Sequence, residues 1–231
     1  MVPLKDENPI HITPYVTYAL IAINLLIFFY ESTLTPRELQ GFLEVFAIVP
    51  RELTLSFQGV AINQPVPEFL TLITSQFLHA GFAHVGFNMW FLWIFGNNIE
   101  EELGGFKYLV FYLLCGVLAG FTQWFFSAQS IIPSLGASGA IAGVLGAYVL
   151  KFPQTLIVTF IPIGIFPFFP KVPAIFFLGF WFIQQLFSGV AMLETTAHVG
   201  MEGGGVAYWA HAGGFVYGAI LAPLLGLFDE D

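Results

Sequence analysis

The sequence predicts an all-α polytopic membrane protein built as a bundle of six transmembrane helices. Of its 231 residues, 57% are hydrophobic and only 9% are charged, whereas about a quarter of the residues in a soluble domain carry charge. Such a chain cannot cover itself with a hydrated surface. Apolar runs near the bilayer-crossing length of about 20 residues recur along it. The predicted spans are 13–31, 81–99, 106–126, 135–151, 172–190 and 205–228.

Charge and cysteine content exclude several classes of function. The formal net charge is −9, and no basic patch indicates binding to nucleic acid or to anionic lipid. The single cysteine, Cys115, excludes a disulfide framework and a thiolate metal cluster. Residues 1–13 lack the basic region of a signal peptide, so the first span is predicted to be retained.

The long loop after the first span contains a predicted amphipathic helix. Thr35 as N-cap, Pro36 at the first helical position and Glu38 form a capping-box pattern. The apolar residues that follow share one helix face, and Pro50 is expected to end the helix; these residues are Leu39, Phe42, Leu43, Phe46 and Ala47. A short helix of this kind is typical of a segment lying in the membrane interface.

Two further connections have distinctive compositions. Phe152 to Pro173 is apolar, but its closely spaced prolines exclude a continuous helix, so we expect an interfacial connector instead of a seventh span. Met192 to Gly205 ends in three glycines, which permit movement. This linker is expected to be a flexible loop or a movable cover.

The distribution of lysines orients the predicted bundle. With six spans and a cytoplasmic N-terminus, Lys5, Lys107, Lys151 and Lys171 all lie inside, as the preference of basic residues for the cytoplasmic side requires. We therefore expect both termini to be cytoplasmic, with the second, fourth and sixth spans starting at the outer face.

That topology brings four polar side chains to similar depths. His84 and Asn88 lie near the start of the second span, Ser138 near the start of the fourth, and His211 about two turns into the sixth. At 1.5 Å per residue, all four fall within roughly the outer third of the membrane. Polar side chains at this depth are costly and often mark function.

Glycines are predicted to bring the fourth and sixth spans together. Ser138 is flanked by glycines at positions 136 and 139, and Gly143 continues the same helix face. On the sixth span, Gly214 and Gly218 continue the face of His211. Small residues four apart let helix backbones approach closely, so the serine hydroxyl and the imidazole are expected to meet.

A serine beside a neutral imidazole indicates nucleophilic catalysis. We expect the nearest acids to be loop residues such as Glu202 and Glu68, so Ser138 as nucleophile and His211 as general base are predicted to form a dyad. His84, Asn88 and backbone N–H groups near Ser138 could hold the developing oxyanion. Asn88 alone could equally be a helix-packing residue.

The remaining polar residues have simpler interpretations. His79 lies close to the start of a span and is interpreted as a bystander at the interface. His11 and His198 are interpreted as solvated loop histidines, and Glu100 as a structural residue at the inner end of the second span.

These residues resemble the rhomboid family of intramembrane serine proteases. The matching elements are Gly136-Ala137-Ser138-Gly139, Ala210-His211 with Gly214 and Gly218, and the series His79, His84 and Asn88. Gly96, Glu100 and Leu103-Gly104 also follow the family pattern. The likeness covers nearly the whole chain, so residues 1–231 are expected to form one rhomboid membrane domain.

The resemblance implies a serine endopeptidase that cuts single-pass transmembrane proteins near the outer surface of the bilayer, with no metal or cofactor. It also implies that the fifth span and the loop before the sixth act as gate and cap. Two departures stand out. Ala142 replaces a tyrosine that stacks on the catalytic imidazole in many members, so another neighbour must orient His211. The first loop also lacks a Trp-Arg pair.

Two other classes remain open from the residues. A small transporter or channel would also contain glycine-rich helices and buried polar groups, although this chain has almost no charge within its predicted spans. An inactive rhomboid-like binding protein should lack the serine or the histidine, and both are present. A prokaryotic plasma membrane is the expected location.

Overall fold

The computed structural model describes residues 1–62, 64–163, 166–199 and 207–229, with the backbone alone for residues 163 and 193–199. Within this part the chain is mostly helical. Its helices are α1 (Tyr15–Thr33), α2 (Pro36–Phe46), α3 (Pro50–Phe57), α4 (Glu68–Thr74), α5 (Phe82–Phe91), α6 (Asn97–Leu103), α7 (Gly105–Ser127), α8 (Ser138–Lys151), α9 (Ala174–Val199) and α10 (Tyr208–Leu224).

Helices occupy the position of every predicted span. Three of them are long and apolar enough to cross a membrane by length and composition, namely Tyr15–Thr33, Gly105–Ser127 and Ala174–Met192, and α8 is a shorter apolar helix. These helices support an integral membrane protein. The count of six spans stays a prediction.

The second predicted span is one continuous stretch with an irregular turn in its middle. A π-helical turn, Leu92–Gly96, joins α5 to α6, and turns of this type are frequent near functional sites. The last residue of the turn has no room for a side chain, since a Cβ on Gly96 would lie 2.7 Å from the hydroxyl of Tyr108. Close contact with α7 therefore requires glycine here.

The first loop folds much as its sequence predicts. Thr35 caps α2 through the predicted capping box, accepting a hydrogen bond from the Glu38 N–H while the Glu38 side chain accepts from the Thr35 N–H. The helix ends at Phe46, and Pro50 begins α3 instead of merely ending α2. The location of α2 in the membrane interface stays a prediction.

The all-α prediction is incomplete because the chain also contains a small antiparallel sheet. Its strands are β1 (Val2–Asp6), β2 (Leu156–Ile163), β3 (Phe166–Phe168) and β4 (Lys171–Pro173). β2 pairs with β1 on one edge and with β3 and β4 on the other. The prolines do prevent a helix in this connection. The β-branched and aromatic residues between them instead favour strands, which the sequence analysis overlooked.

Helix α9 is longer than the predicted fifth span. It continues to Val199, so the expected loop from Met192 is wrong over its first part, and the backbone of His198 is helical. The rest of that linker, including Glu202 and the three glycines, falls outside the described residues.

Helix α8 is the centre of the bundle. Every residue from Gly139 to Val149 is buried, and the helix packs between α7 and α10. Small side chains make this possible, because the first two turns of α8 consist largely of glycine and alanine. A short helix that is buried over most of its length therefore holds its N-terminal residue, Ser138, in a half-buried position.

Candidate active site

Ser138 is the first residue of α8, and the segment before it is anchored by the first loop. Ser134 and Ile48 exchange backbone hydrogen bonds of 2.7 and 3.0 Å, and the Gly136 N–H donates to the Ser75 carbonyl at 2.8 Å. Gly136 has a φ of 125°, a conformation that favours glycine. The backbone thus turns sharply just before the serine and fixes its position.

The Ser138 hydroxyl contacts the imidazole of His211 on α10. The distance from Oγ to Nε2 is 2.7 Å, and His211 Nδ1 lies 2.8 Å from Oε1 of Gln185 on α9. The Gln185 amide nitrogen donates to the Trp181 carbonyl, at 3.4 Å, which leaves its oxygen facing the histidine. An imidazole that donates from Nδ1 to this oxygen has Nε2 free to accept the serine proton.

Trp181 provides a second contact that orients His211. Its ring centroid lies 5.9 Å from that of the imidazole at an interplanar angle of 30°. Trp181 precedes Gln185 by one helical turn, so a single face of α9 supplies both contacts. Sequence reasoning anticipated that some neighbour must compensate for Ala142 but identified neither residue. Their i, i+4 spacing on the fifth span was the available signal.

Glycines line the contact between α8 and α10. A Cβ on Gly214 would overlap the backbone carbonyl of Gly139, and a Cβ on Gly218 would overlap the carbonyl of Gly143. The two backbones touch at these points, a distance that only glycine permits. This contact sets the separation at which Ser138 and His211 meet.

His84 lies beside the turn that precedes the serine. A Cβ on Gly136 would be 2.8 Å from His84 Nε2. The Nδ1 atom of His84 accepts a hydrogen bond from the Ala80 N–H at 3.3 Å. In the neutral imidazole the proton is then on Nε2, so the donor of His84 points toward the Gly136–Ser138 segment.

Asn88 follows His84 by one turn of α5 and is buried. Its Nδ2 has no hydrogen-bond partner within the described chain. Buried amide donors are normally paired, so this unpaired donor is available to an incoming acceptor such as a carbonyl oxygen. The structure therefore brings Ser138 and His211 into direct contact and places His84 next to them.

His79 is not the interfacial histidine that the sequence suggested. It is 3% exposed, and its ring meets that of His84 edge-on, with centroids 5.1 Å apart. Its backbone N–H donates to the carboxylate of Glu31 at 3.2 Å. Glu31, buried at the end of α1, is an acid that the expectation of distant loop carboxylates overlooked. It lies against the His79 backbone, whereas an amide, Gln185, occupies the Nδ1 side of His211.

Glu100 and His11 make contacts that join parts of the fold. Glu100 accepts hydrogen bonds from the backbone N–H groups of Val16 and Thr17 at 2.8 and 2.7 Å, joining α6 to α1. His11 is exposed and contacts Glu101. Among the described residues, no group of three or more His, Cys, Asp or Glu side chains could hold a metal ion.

Comparison with known proteins matches the Rhomboid domain family to residues 66–228. The chain is 32% identical over 221 residues to Rhomboid protease GluP of Bacillus subtilis, covering 94% of this chain and 37% of that protein. It is 30% identical over 168 residues to Rhomboid-like protein 11, chloroplastic, of Arabidopsis thaliana, covering 71% of this chain and 55% of that protein. It is also 33% identical over 155 residues to Rhomboid protein 1, mitochondrial, of Saccharomyces cerevisiae, covering 65% of this chain and 40% of that protein. The chain thus spans only 37% to 55% of the lengths of these relatives.

Proposed function

Since the chain belongs to the rhomboid family, with the family's domain matched over residues 66–228, we propose that it is an intramembrane serine endopeptidase. The proposed substrates are single-pass transmembrane proteins, cut in or near their membrane-spanning segments by a Ser–His dyad. The observation that carries the proposal is the 2.7 Å contact between Ser138 Oγ and His211 Nε2.

The geometry suits acyl transfer through the serine. His211 Nε2 takes the hydroxyl proton as Ser138 Oγ attacks the peptide carbonyl carbon, and it returns that proton to the departing amine. A water molecule, deprotonated by the same nitrogen, then cleaves the acyl-enzyme and restores the serine. Gln185 holds Nδ1–H throughout, so the ring keeps the orientation and tautomer that the proton transfer requires.

Three donors support the proposed oxyanion site. The Ser138 N–H belongs to the first turn of α8, where backbone donors have no partner within the helix. His84 Nε2 faces the same segment, and Asn88 Nδ2 is buried without a partner in the described chain. Removing one such donor typically lowers kcat by about 10²- to 10³-fold.

The proposed topology has six spans with both termini in the cytoplasm and the active site toward the outer face. Its support is that helices lie at every predicted span and that Ser138 and His84 stand at the same ends of α8 and α5. In this arrangement α2 lies in the outer interface. We propose a prokaryotic plasma membrane as the location of the protein. The alignment of 94% of this chain with the Bacillus relative supports this location.

Cleavage in liposomes tests the proposed function. The purified protein is mixed with a single-pass test substrate, and fragments are detected by mass. Ser138→Ala and His211→Ala should each lower the rate by at least about 10³-fold, while Ser32→Ala on the exposed end of α1 and addition of EDTA should leave it unchanged. Undiminished cleavage by Ser138→Ala contradicts the mechanism, and a wild-type chain that retains the substrate uncut would identify an inactive relative.

A further inference from the structure

The sheet formed by the N-terminal strand and the β2–β4 connection has its charged side chains at one end. Lys5, Asp6 and Glu7 lie at this end, where Lys171 forms an ion pair with Glu7. From Phe152 to Pro170 the sequence contains no Asp, Glu, Lys, Arg or His. The hairpin made by β2 and β3 therefore projects away from the charges as a wholly uncharged segment.

The projecting end of the hairpin exposes large aromatic side chains. Phe166 is 73% exposed, Phe168 52% and Phe169 53%. Together with Phe160, which packs against Phe169, these residues form what we call the aromatic end. In water such a cluster would be costly, since each exposed aromatic side chain forfeits a few kcal/mol of burial. Its composition indicates an apolar surrounding.

In the proposed six-span topology, contacts with the second span place the sheet at membrane depth. Going backward along the chain, His11 bonds to Glu101, the Asn8 carbonyl to Asn98, and the Pro3 carbonyl to Trp90 Nε1 at 2.6 Å. Glu101 and Trp90 are separated by about 16 Å along the helix. The N-terminal segment therefore runs alongside the span, from its inner end into its middle.

The hairpin extends further in the same direction. Asp6 pairs with Ile157 and Val2 with Phe160, and β2 continues three residues beyond that last pair. Those residues add about 10 Å. Val2 itself borders a cavity of about 290 Å³ with Ala83, Gly86, Phe87 and Trp90 of α5, so the aromatic end lies level with the outer half of α5.

Two prolines suppress the donors that a hairpin would expose to lipid. Pro162 and Pro167 lie directly opposite each other. Proline has no backbone N–H, so the backbone hydrogen bonds between β2 and β3 are made by the residue pairs on either side of this proline pair. At a pair that makes no such bonds, the N–H groups would point away from the partner strand. The two prolines therefore remove the donors that would point outward from the hairpin. Unpaired backbone donors cost several kcal/mol each in hydrocarbon. On the opposite edge of the sheet, β1 is bonded to α5 through Trp90.

We propose that the aromatic end of the hairpin is inserted in the hydrocarbon of the bilayer, with lipid acyl chains as its partner. Helix α9, which begins directly after β4, also exposes large aromatic side chains, namely Phe176, Phe180 and Phe187. The hairpin is thus a membrane-embedded element beside the bundle, independent of whether the chain is proteolytic.

Spin-label accessibility in liposomes tests this insertion. Phe166→Cys and Phe168→Cys are each labelled with a nitroxide, and collision rates are measured with oxygen, which concentrates in the bilayer, and with a nickel chelate, which stays in water. Cys115 is buried, so the parent chain gives the labelling background. Both sites should show the oxygen-to-nickel ratio of Phe180→Cys on α9, several-fold above that of the exposed site His11→Cys.

Water-like ratios at both hairpin sites, with a lipid-like ratio at Phe180→Cys, overturn the proposal. The unmodified protein gives an independent readout through lipids that carry a photoreactive group in the acyl chain. Peptides containing Phe166 to Phe169 should be labelled to the same extent as those from α9. Absence of lipid adducts there, while peptides from α9 are labelled, contradicts insertion.

Discussion

Gln185 is the main residue of the candidate site that the sequence did not predict. A carboxylate in its place would stabilise an imidazolium by charge, whereas the amide contributes orientation through one hydrogen bond of 2.8 Å. A net hydrogen bond of this kind is worth about 1 kcal/mol. The dyad is therefore better described as two reacting residues with a neutral positioning group.

Replacing Gln185 should affect turnover more than binding. Gln185→Ala removes the acceptor at Nδ1, and we expect kcat to fall about 10-fold, the equivalent of about 1.4 kcal/mol, with KM changed less than about twofold. Initial rates against a single-pass substrate in liposomes measure both constants. The exposed Gln40→Ala on α2 is the matched control. A rise in KM at constant kcat would assign Gln185 to substrate binding instead.

Glu68 at the start of α4 links stability to pH. Burial, followed by the negative charge of Glu52, raises the pKa of Glu68 from 4.5 to about 7. The folded chain binds this proton more tightly than the unfolded chain. Its stabilising contribution is therefore complete below about pH 4.5 and is lost as the pH rises through about 7.

Glu68→Gln should remove that part of the pH dependence. Between pH 5 and pH 8 the apparent Tm of the wild type in detergent should fall by a few degrees more than that of the variant, which corresponds to on the order of 1–3 kcal/mol. Thermal melts across the range measure the difference, with Glu44→Gln on the exposed side of α2 as control. Equal slopes for Glu68→Gln and the wild type would contradict the assignment.

Among the elements, the pair α8 and α10 determines whether the two reacting side chains meet. Their backbones touch at Gly139 with Gly214 and at Gly143 with Gly218. Because protein interiors are close-packed and yield little, even a methyl group must push the helices apart. The reactive distance is therefore a property of helix packing as much as of the two side chains.

Gly214→Ala should weaken both stability and activity. Overpacking of this kind costs about 1–3 kcal/mol, which we expect to lower Tm by several degrees and to reduce cleavage at least about 10-fold. Gly179→Ala on α9 is the matched control, since no atom lies within 4 Å of a Cβ at that position. If Gly214→Ala were as active and as stable as the control, the contact between α8 and α10 would not be close enough to require glycine, which would contradict this prediction.

At the scale of the whole molecule, the positions of the helices along the chain were the part of the structure that the sequence predicted best. Length and hydropathy located the helices because a bilayer-crossing run has few alternatives. The contact of Ser138 with His211 and the glycine contacts beside it agree with what the sequence predicted for these two helices. The capping box at Thr35 was also predictable, since its signature is local.

Features that depend on contacts between distant segments could not be predicted in the same way. The pairing of Val2–Asp6 with β2 joins residues about 150 positions apart, and strand register is set by such partners. Gln185 and Trp181 looked like ordinary span residues until α9 was placed beside His211. The role of Glu31 was not predicted because hydropathy locates the end of a span but does not show which residues pack against it.

Covalent labelling tests whether Ser138 is a nucleophile activated by His211, without any assumption about the substrate. The protein in liposomes is treated with a fluorophosphonate, which reacts with activated serines, and the modified peptide is identified by mass spectrometry. We expect one adduct, on Ser138, in the wild type and in Ser32→Ala, and none in His211→Ala. Absence of a wild-type adduct on Ser138, or an adduct there that survives His211→Ala, would contradict the claim.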